Sequence, residues 1–258
     1  MTTPDEPQYN SIGQKYDAIT DLPCNKLEQE LIRSALGDCT GLKILDLAGG
    51  TGLKALQAIY AGAAAVHVVD ISSAMVEAAA ARQETLGNDK GRIQAYVADC
   101  SKPLADQGLS VLEQASYDIV MAHWLFEYAQ SPEDLRAMWQ NIAAYLKPER
   151  SFLGIRSVWG VDAEYLKEGL YGAVVTQMEK TEDGCKYRVR FKTEPPVEFC
   201  CTPLRSSLSL DETIPRELGL TDFAVVEAEE AHVVQGNREF WAAFLADPCY
   251  KVVTAKKK

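Results

Sequence analysis

Three aspartates, each closing a short apolar run, carry the first chemical signal in this chain: Asp46 in KILDLA, Asp70 in AVHVVD and Asp99 in IQAYVAD. The first is followed by Ala48-Gly49-Gly50-Thr51-Gly52, small residues that let the backbone turn sharply and bring amides up to a ligand. Alone, the turn is ambiguous. Gly50-x-Gly52-x-x-Ala55 satisfies the relaxed dinucleotide fingerprint, and Asp70 stands where a ribose-binding acid belongs. Asp46 separates the readings, because a carboxylate inside the end of a strand does nothing for a neighbouring pyrophosphate but suits a ligand with an ammonium group and no phosphate. Asp70 offers two oxygens to two ribose hydroxyls. Asp99 can accept from an adenine amine, with the Cys100 amide serving a ring nitrogen. Any one of these acids is also an ordinary strand-end or loop cap; three in succession form a pattern.

A second group follows the next apolar run, YDIVMAHW: His123, Trp124, Phe126, Glu127 and Tyr128. His123 and Tyr128 are the candidate catalytic groups. An imidazole titrates near neutrality and can take a proton from an N–H or O–H acceptor; it serves equally as a backbone-bonded positioner. Trp124 and Phe126 are candidates to hold a flat substrate or to face a cation, with core packing as the alternative. Glu127 also reads as a solvated or helix-capping charge.

Positioning these groups requires strands that end together. KILDLA reads as a buried strand, and AVHVVD, IQAYVAD, YDIVMAHW and FLGIRS as four further strands. Helices are expected between them over Leu53–Tyr60, after Ser72 or Ser73, across PLADQGLSVLEQA, and from Ser131-Pro132 to about Leu146, where Pro148 stops the last. Strands apolar along most of their length, alternating with helices, indicate a parallel sheet covered on both faces. Residues 1–8 read as a loose tail, and NKLEQELIRSALG as an amphipathic helix closed by Gly37. Beyond Val158, Asp183-Gly184 suggests an antiparallel hairpin. A helix near Asp211–Leu218, a strand from Phe223, a helix near Arg238–Leu245 and a strand near Val252 follow. Lys256–Lys258 reads as a frayed tail.

Taken together, LDLAGGTG (Leu45–Gly52), VVDISSAM (Val68–Met75) and VADC (Val97–Cys100) resemble the first three motifs of the class I S-adenosylmethionine-dependent methyltransferases, over roughly Tyr9 to Ser157. Ala48 departs from the glycine that the family often has there. AHWLFEYAQSPEDLRAMWQNIAAYLKP and TEPPVEF are similar to the toxoflavin-type small-molecule N-methyltransferases. The resemblance implies a Rossmann-like α/β fold: a seven-stranded, mostly parallel sheet with helices on both faces and an N-terminal helical lid. On this plan residues 1–38 form the lid, 39–157 the cofactor-binding core, and 158–258 the C-terminal strands and substrate cap of one domain. It also implies S-adenosyl-L-methionine as cofactor, met by Asp46, Ala48, Gly50, Asp70, Ile71, Met75, Asp99, Cys100 and His123. Tyr9 or Tyr16 of the lid would lie near its methionine end, unless both tyrosines simply pack a helix pair. Trp124 and Phe126 would meet the acceptor.

The reaction implied is methyl transfer to a nitrogen or oxygen of a small, heteroaromatic or natural-product acceptor. Alignment alone lowers such a barrier by about 7–11 kcal/mol, more than the roughly 10²–10⁴-fold that a general base adds, so a dedicated base is optional. A lyase or cyclase using the same site, with the cofactor's own amine attacking Cγ to give an azetidine acid and methylthioadenosine, is the alternative enzyme class. A non-catalytic cofactor-binding subunit is a third reading.

Composition bounds these readings. The 258 residues are 47% hydrophobic and carry a formal net charge of −11, which disfavours nucleic acid and anionic membranes as partners. The fourth strand has no N/D-P-P-Y/F tetrapeptide, and RSVW (Arg156–Trp159) lacks the Asp-Asn pair of metal-dependent catechol transfer. Seven cysteines without a C-x-x-C pair and three histidines make a protein-built metal site unexpected. Polar opening residues and the lack of a long apolar run give the cytoplasm as the expected compartment.

Overall fold

The computed structural model describes residues 6–258. Alternation along the first strand, β1 (Lys43–Leu47), sends Ile44 and Asp46 to one face and Leu45 and Leu47 to the other, so both faces need cover. Cover comes from α2 (Pro23–Leu36), α3 (Leu53–Tyr60), α4 (Ser73–Gln83) and α5 (Pro132–Tyr145), while α1 (Glu6–Ile12) packs on α4. Leu27, Leu31 and Ile32 of α2 join Ala55 and Ile59 of α3 on the Ile44 face, while Met138, Trp139 and Ile142 of α5 pack on the Leu45 face.

The remaining strands are β2 (Ala65–Asp70), β3 (Ile93–Val97), β4 (Tyr117–His123), β5 (Leu146–Ser157), β6 (Ala173–Lys180), β7 (Cys185–Phe191), β8 (Val197–Cys201), β9 (Leu220–Val226) and β10 (Tyr250–Lys257). Seven form one sheet in the order β3-β2-β1-β4-β5-β10-β9, with β10 antiparallel to both its neighbours. The expected Rossmann-like, mostly parallel seven-stranded sheet with an N-terminal helical segment is therefore present. Strand order reverses between β1 and β4, the place where open α/β sheets leave a crevice beyond the strand ends. The hairpin expected at Asp183-Gly184 joins β6 to β7, and β8 completes a separate antiparallel sheet in the order β6-β7-β8.

Several local expectations need correction. PLADQGLSVLEQA forms only a 3₁₀ turn at Leu104–Gln107, because Gly108 takes φ 74 and the chain then runs through turns. The Gln107 carboxamide pairs with the Asp99 backbone instead, accepting from Asp99 N at 2.9 Å and donating to Asp99 O at 2.8 Å. Pro148 lies inside β5, beside an irregular register with β4, rather than beyond a helix end. Residues 256–258 are not a frayed tail. Lys256 and Lys257 pair with Thr221 and Leu220, and Lys257 Nζ donates to the carbonyls of Ala143 and Leu146. Of the tail expected over residues 1–8, residues 1–5 lie outside the described residues, and α1 already begins at Glu6. Among the described residues no helix is long and apolar enough to cross a membrane.

One buried amide fixes the loop that bears Asp99. Asn141 of α5, 4% exposed, donates to the carbonyls of Cys100 and Lys102 and accepts from Leu104 N at 3.1 Å. Asn141→Leu leaves the buried Cys100 carbonyl and Leu104 amide without partners, and urea denaturation should show a loss of about 2–4 kcal/mol.

Candidate functional site

Two adjoining cavities open at the C-terminal ends of β1 and β4. The first, of about 1290 Å³ including its open mouth, is lined by every residue expected to meet the cofactor: Tyr9, Tyr16, Asp46, Ala48, Gly50, Asp70, Ile71, Met75, Asp99, Cys100 and His123. The second, of about 930 Å³ likewise including its opening, is an aromatic chamber roofed by the sheet β6-β7-β8 and by the helical segment near residue 241. Tyr9, Tyr16, Asn25, Glu28, Trp124 and Tyr128 line both and form their common wall.

The turn after β1 is built around Asp46 and Asp70. Ala48 adopts φ 54, so the position that departs from glycine accepts a left-handed backbone. Gly49 is required for space: a Cβ there would stand 2.7 Å from Asp46 Oδ2 and 2.8 Å from Val68 Cγ1. Asp70 Oδ2 accepts from Gly50 N and Oδ1 from Ser72 N, both at 2.9 Å, tying the small-residue turn to the start of α4. Burial raises the Asp70 pKa against these amide bonds. Asp99 Oδ1 caps its own turn, accepting from Ser101 N at 2.8 Å and Ser101 Oγ at 2.7 Å.

Asp46 is different. It is fully buried, and neither carboxylate oxygen has a hydrogen-bond partner. Burial pushes its pKa up to about 8, with Lys54 opposing the shift and Asp70 adding to it. His123 is similarly placed, 6% exposed with both ring nitrogens unpartnered. Burial, reinforced by Lys54, pushes its pKa down to about 3. The imidazole is therefore neutral and weakly basic, which argues against proton abstraction, and no backbone bond holds it in place. Tyr128 hydrogen bonds with the Tyr9 hydroxyl, and burial holds its pKa well above the ordinary phenol value, so it stays protonated.

The other two residues expected at the substrate diverge. Trp124 stands in the common wall at φ 63, its indole N–H donating to Glu28 Oε2 at 2.9 Å. Phe126 lines neither cavity; it is 2% exposed and stacked on Trp139 at 4.5 Å. The turn Leu125–Tyr128 sends Phe126 and Glu127 different ways, so Phe126 packs beneath the sheet. Glu127 is neither solvated nor a cap, being 2% exposed and accepting from the Tyr187 hydroxyl at 2.8 Å inside the chamber.

Sequence reasoning missed the side chains that hold the lid and the wall. Lys54 of α3 pairs with Glu28 of α2 at 2.5 Å, and both are nearly buried. Glu28 continues the i, i+4 row of Ile32 and Leu36, and a charge on that apolar stripe was the available signal. Asp17 accepts from Thr51 Oγ1 at 2.6 Å and pairs with Arg82, while Asn10 accepts from Ser72 Oγ at 2.7 Å. Gln8 exchanges two bonds with the Cys200 backbone, at 3.1 and 2.8 Å. No spacing rule links such distant partners.

The chain thus has a Rossmann-like methyltransferase fold, and its strand-end acids face one cavity. Residues 44–149 match the family model described as a methyltransferase domain. Similar solved structures include the CcbJ methyltransferase from Streptomyces caelestis, 16% identical, covering 98% of this chain and 99% of that one at a TM-score of 0.63. The PH0226 protein from Pyrococcus horikoshii OT3 is 20% identical over 98% of this chain and 96% of its own, at 0.59. Geranyl diphosphate C-methyltransferase from Streptomyces coelicolor A3(2), solved with Mg²⁺, geranyl diphosphate and S-adenosyl-L-homocysteine, is 13% identical over 90% and 78%, at 0.54. No curated protein matches the chain. The match at 44–149 leaves out the lid and the roof of the aromatic chamber.

Asp46 gives a pH test. Its folded pKa lies above its unfolded value of 3.8, so its contribution to stability is full below about pH 3.8 and is lost as pH rises through about 8. Asp46→Asn should remove that loss. Thermal unfolding of the ligand-free protein should show the variant gaining on wild type from pH 5 to pH 9, at about 2–4 °C for each kcal/mol.

Proposed function

We propose that this chain binds S-adenosyl-L-methionine in the acid-lined cavity and transfers its methyl group to a nitrogen or oxygen of a small acceptor held in the aromatic chamber. The observation that carries the reading is the pair of contiguous cavities with one common wall, the first containing a buried carboxylate without a partner. Such a group is costly unless a ligand satisfies it, and an amino-acid ammonium is the right donor for Asp46. Asp70, with two lone pairs beyond those given to Gly50 and Ser72, suits a ribose diol. Asp99 Oδ2 is left for an adenine amine, and Ile71 and Met75 offer apolar cover. The solved neighbour with S-adenosyl-L-homocysteine bound supports this choice of cofactor.

Bound there, S-adenosylmethionine would supply a methyl carbon on positive sulfur, open to attack by an acceptor lone pair with the sulfur leaving as the thioether of S-adenosylhomocysteine. The chain's own residues orient the partners and exclude water. Trp124 is locked by Glu28, and Tyr9 and Tyr128 close the wall between the cavities. The neutral His123 offers a hydrogen bond rather than a strong base. An alignment mechanism needs no more than this. The toxoflavin-type similarity favours a heteroaromatic or natural-product acceptor, and the polar opening residues and cysteine usage favour the cytoplasm as the setting.

Mass spectrometry after incubation with S-adenosylmethionine and a panel of heteroaromatic acceptors tests the reaction. Acceptor-dependent S-adenosylhomocysteine is expected. Methylthioadenosine formed without any acceptor would replace methyl transfer with cyclisation of the cofactor. Asp70→Ala should weaken S-adenosylhomocysteine binding by about tenfold or more in calorimetry; unchanged affinity refutes the ribose role.

A further inference from the structure

Among the described residues the aromatic chamber has no lysine, arginine or histidine in its wall, yet it contains two buried carboxylates, Glu28 and Glu127. Their situations differ. Glu28 is compensated by Lys54 at 2.5 Å and by the Trp124 indole N–H. Glu127 has the Tyr187 hydroxyl on Oε2 and no cation among the described residues. Ser157, 2% exposed, lies against Glu127, but its hydroxyl completes no hydrogen bond of normal geometry. Elsewhere the chamber wall is rich in aromatic rings, including Tyr171 stacked on Trp241 at 4.5 Å.

We propose that the chamber selects an acceptor with a basic nitrogen on a flat hydrophobic skeleton, and that Glu127 is the residue that recognises that nitrogen. The inference rests on the chamber being the acceptor site.

Three kinds of acceptor can be weighed against this wall. An acid would bring a second negative charge beside Glu127 in a site with no cation to relieve it. A neutral alcohol gains the apolar contacts but leaves the carboxylate without a counter-ion. An ammonium gains both an ion pair sheltered from water and the attraction of electron-rich ring faces. Its N–H groups also give donors to the Glu127 oxygen not used by Tyr187 and to Ser157 Oγ. Burial raises the Glu127 pKa, so the arrival of a cation is also what favours its ionised form.

The test uses the full-length protein saturated with S-adenosylhomocysteine and two matched probe sets: tryptamine, tryptophol and indole-3-acetate, then 2-phenylethylamine, 2-phenylethanol and phenylacetate. Calorimetry should rank amine above alcohol above acid in both sets, with amine over acid by about tenfold or more. Glu127→Gln keeps the shape and an acceptor for Tyr187. It should erase the amine preference while leaving S-adenosylhomocysteine and alcohol affinities unchanged, which also reports an intact fold. If that variant does not fold, the wild-type ranking still decides. Acids binding as well as amines, neither amine binding, or a folded Glu127→Gln with its amine preference intact would each overturn the proposal. Failure of S-adenosylhomocysteine itself to bind would instead refute the cofactor reading, so the two failures are distinct.

Discussion

The carboxylate of Asp70 joins the turn after β1 to the start of α4. One oxygen holds the amide of Gly50 in the turn after β1, and the other holds the amide of Ser72 at the start of α4. Each bond stabilises one loop modestly, but sharing an acceptor fixes the distance between them. Ser72 then caps α4 through Met75 N and receives the lid through Asn10. Asp17 and Thr51 close the lid on the small-residue turn itself. The floor of the first cavity and its cover are thereby referred to one side chain.

Around that anchor, stability is given up in a few places. Asp46 and His123 bury polar atoms with no partners, and Trp124 takes a backbone conformation that non-glycine residues seldom adopt. All three face the cavities. Other buried polar atoms without partners lie elsewhere, among them Gln57 Oε1, Gln83 Oε1 and Arg156 Nε, although the other Arg156 nitrogens donate to the carbonyls of Ser209 and Asp211 and the guanidinium lies over the rings of Phe126 and Trp139.

The sheet was legible because its signals are local. Each of the first five strands is an apolar run, and Ser72 and Ser131 cap their helices as their types suggest. The acid-lined cavity was legible for the same reason, because strand-end residues of a parallel sheet gather at one edge. The aromatic chamber was not. Its walls come from the lid, the turn after β4, the sheet β6-β7-β8 and the helix near Trp241, segments joined only in three dimensions. Phe126 and Glu127 show the limit most plainly. They are adjacent in sequence, and a single turn of 3₁₀ helix decided which would be core and which would face the chamber. The lysines at the C-terminus misled for a related reason: a charge run predicts solvent, but β10 needed those residues to complete its pairing with β9.

Gln8 has a further consequence for β8, which pairs on only one side, with β7. A strand at the border of a sheet offers unpaired amides and carbonyls to any passing chain. The Gln8 carboxamide presents a donor and an acceptor with the spacing of a peptide group and fills both positions at Cys200. One side chain thus imitates a link of a neighbouring strand and ends the sheet there. The border of β8 is covered at that position by a side chain, and the contact that seats the N-terminal helix also keeps the Cys200 backbone from pairing with another molecule.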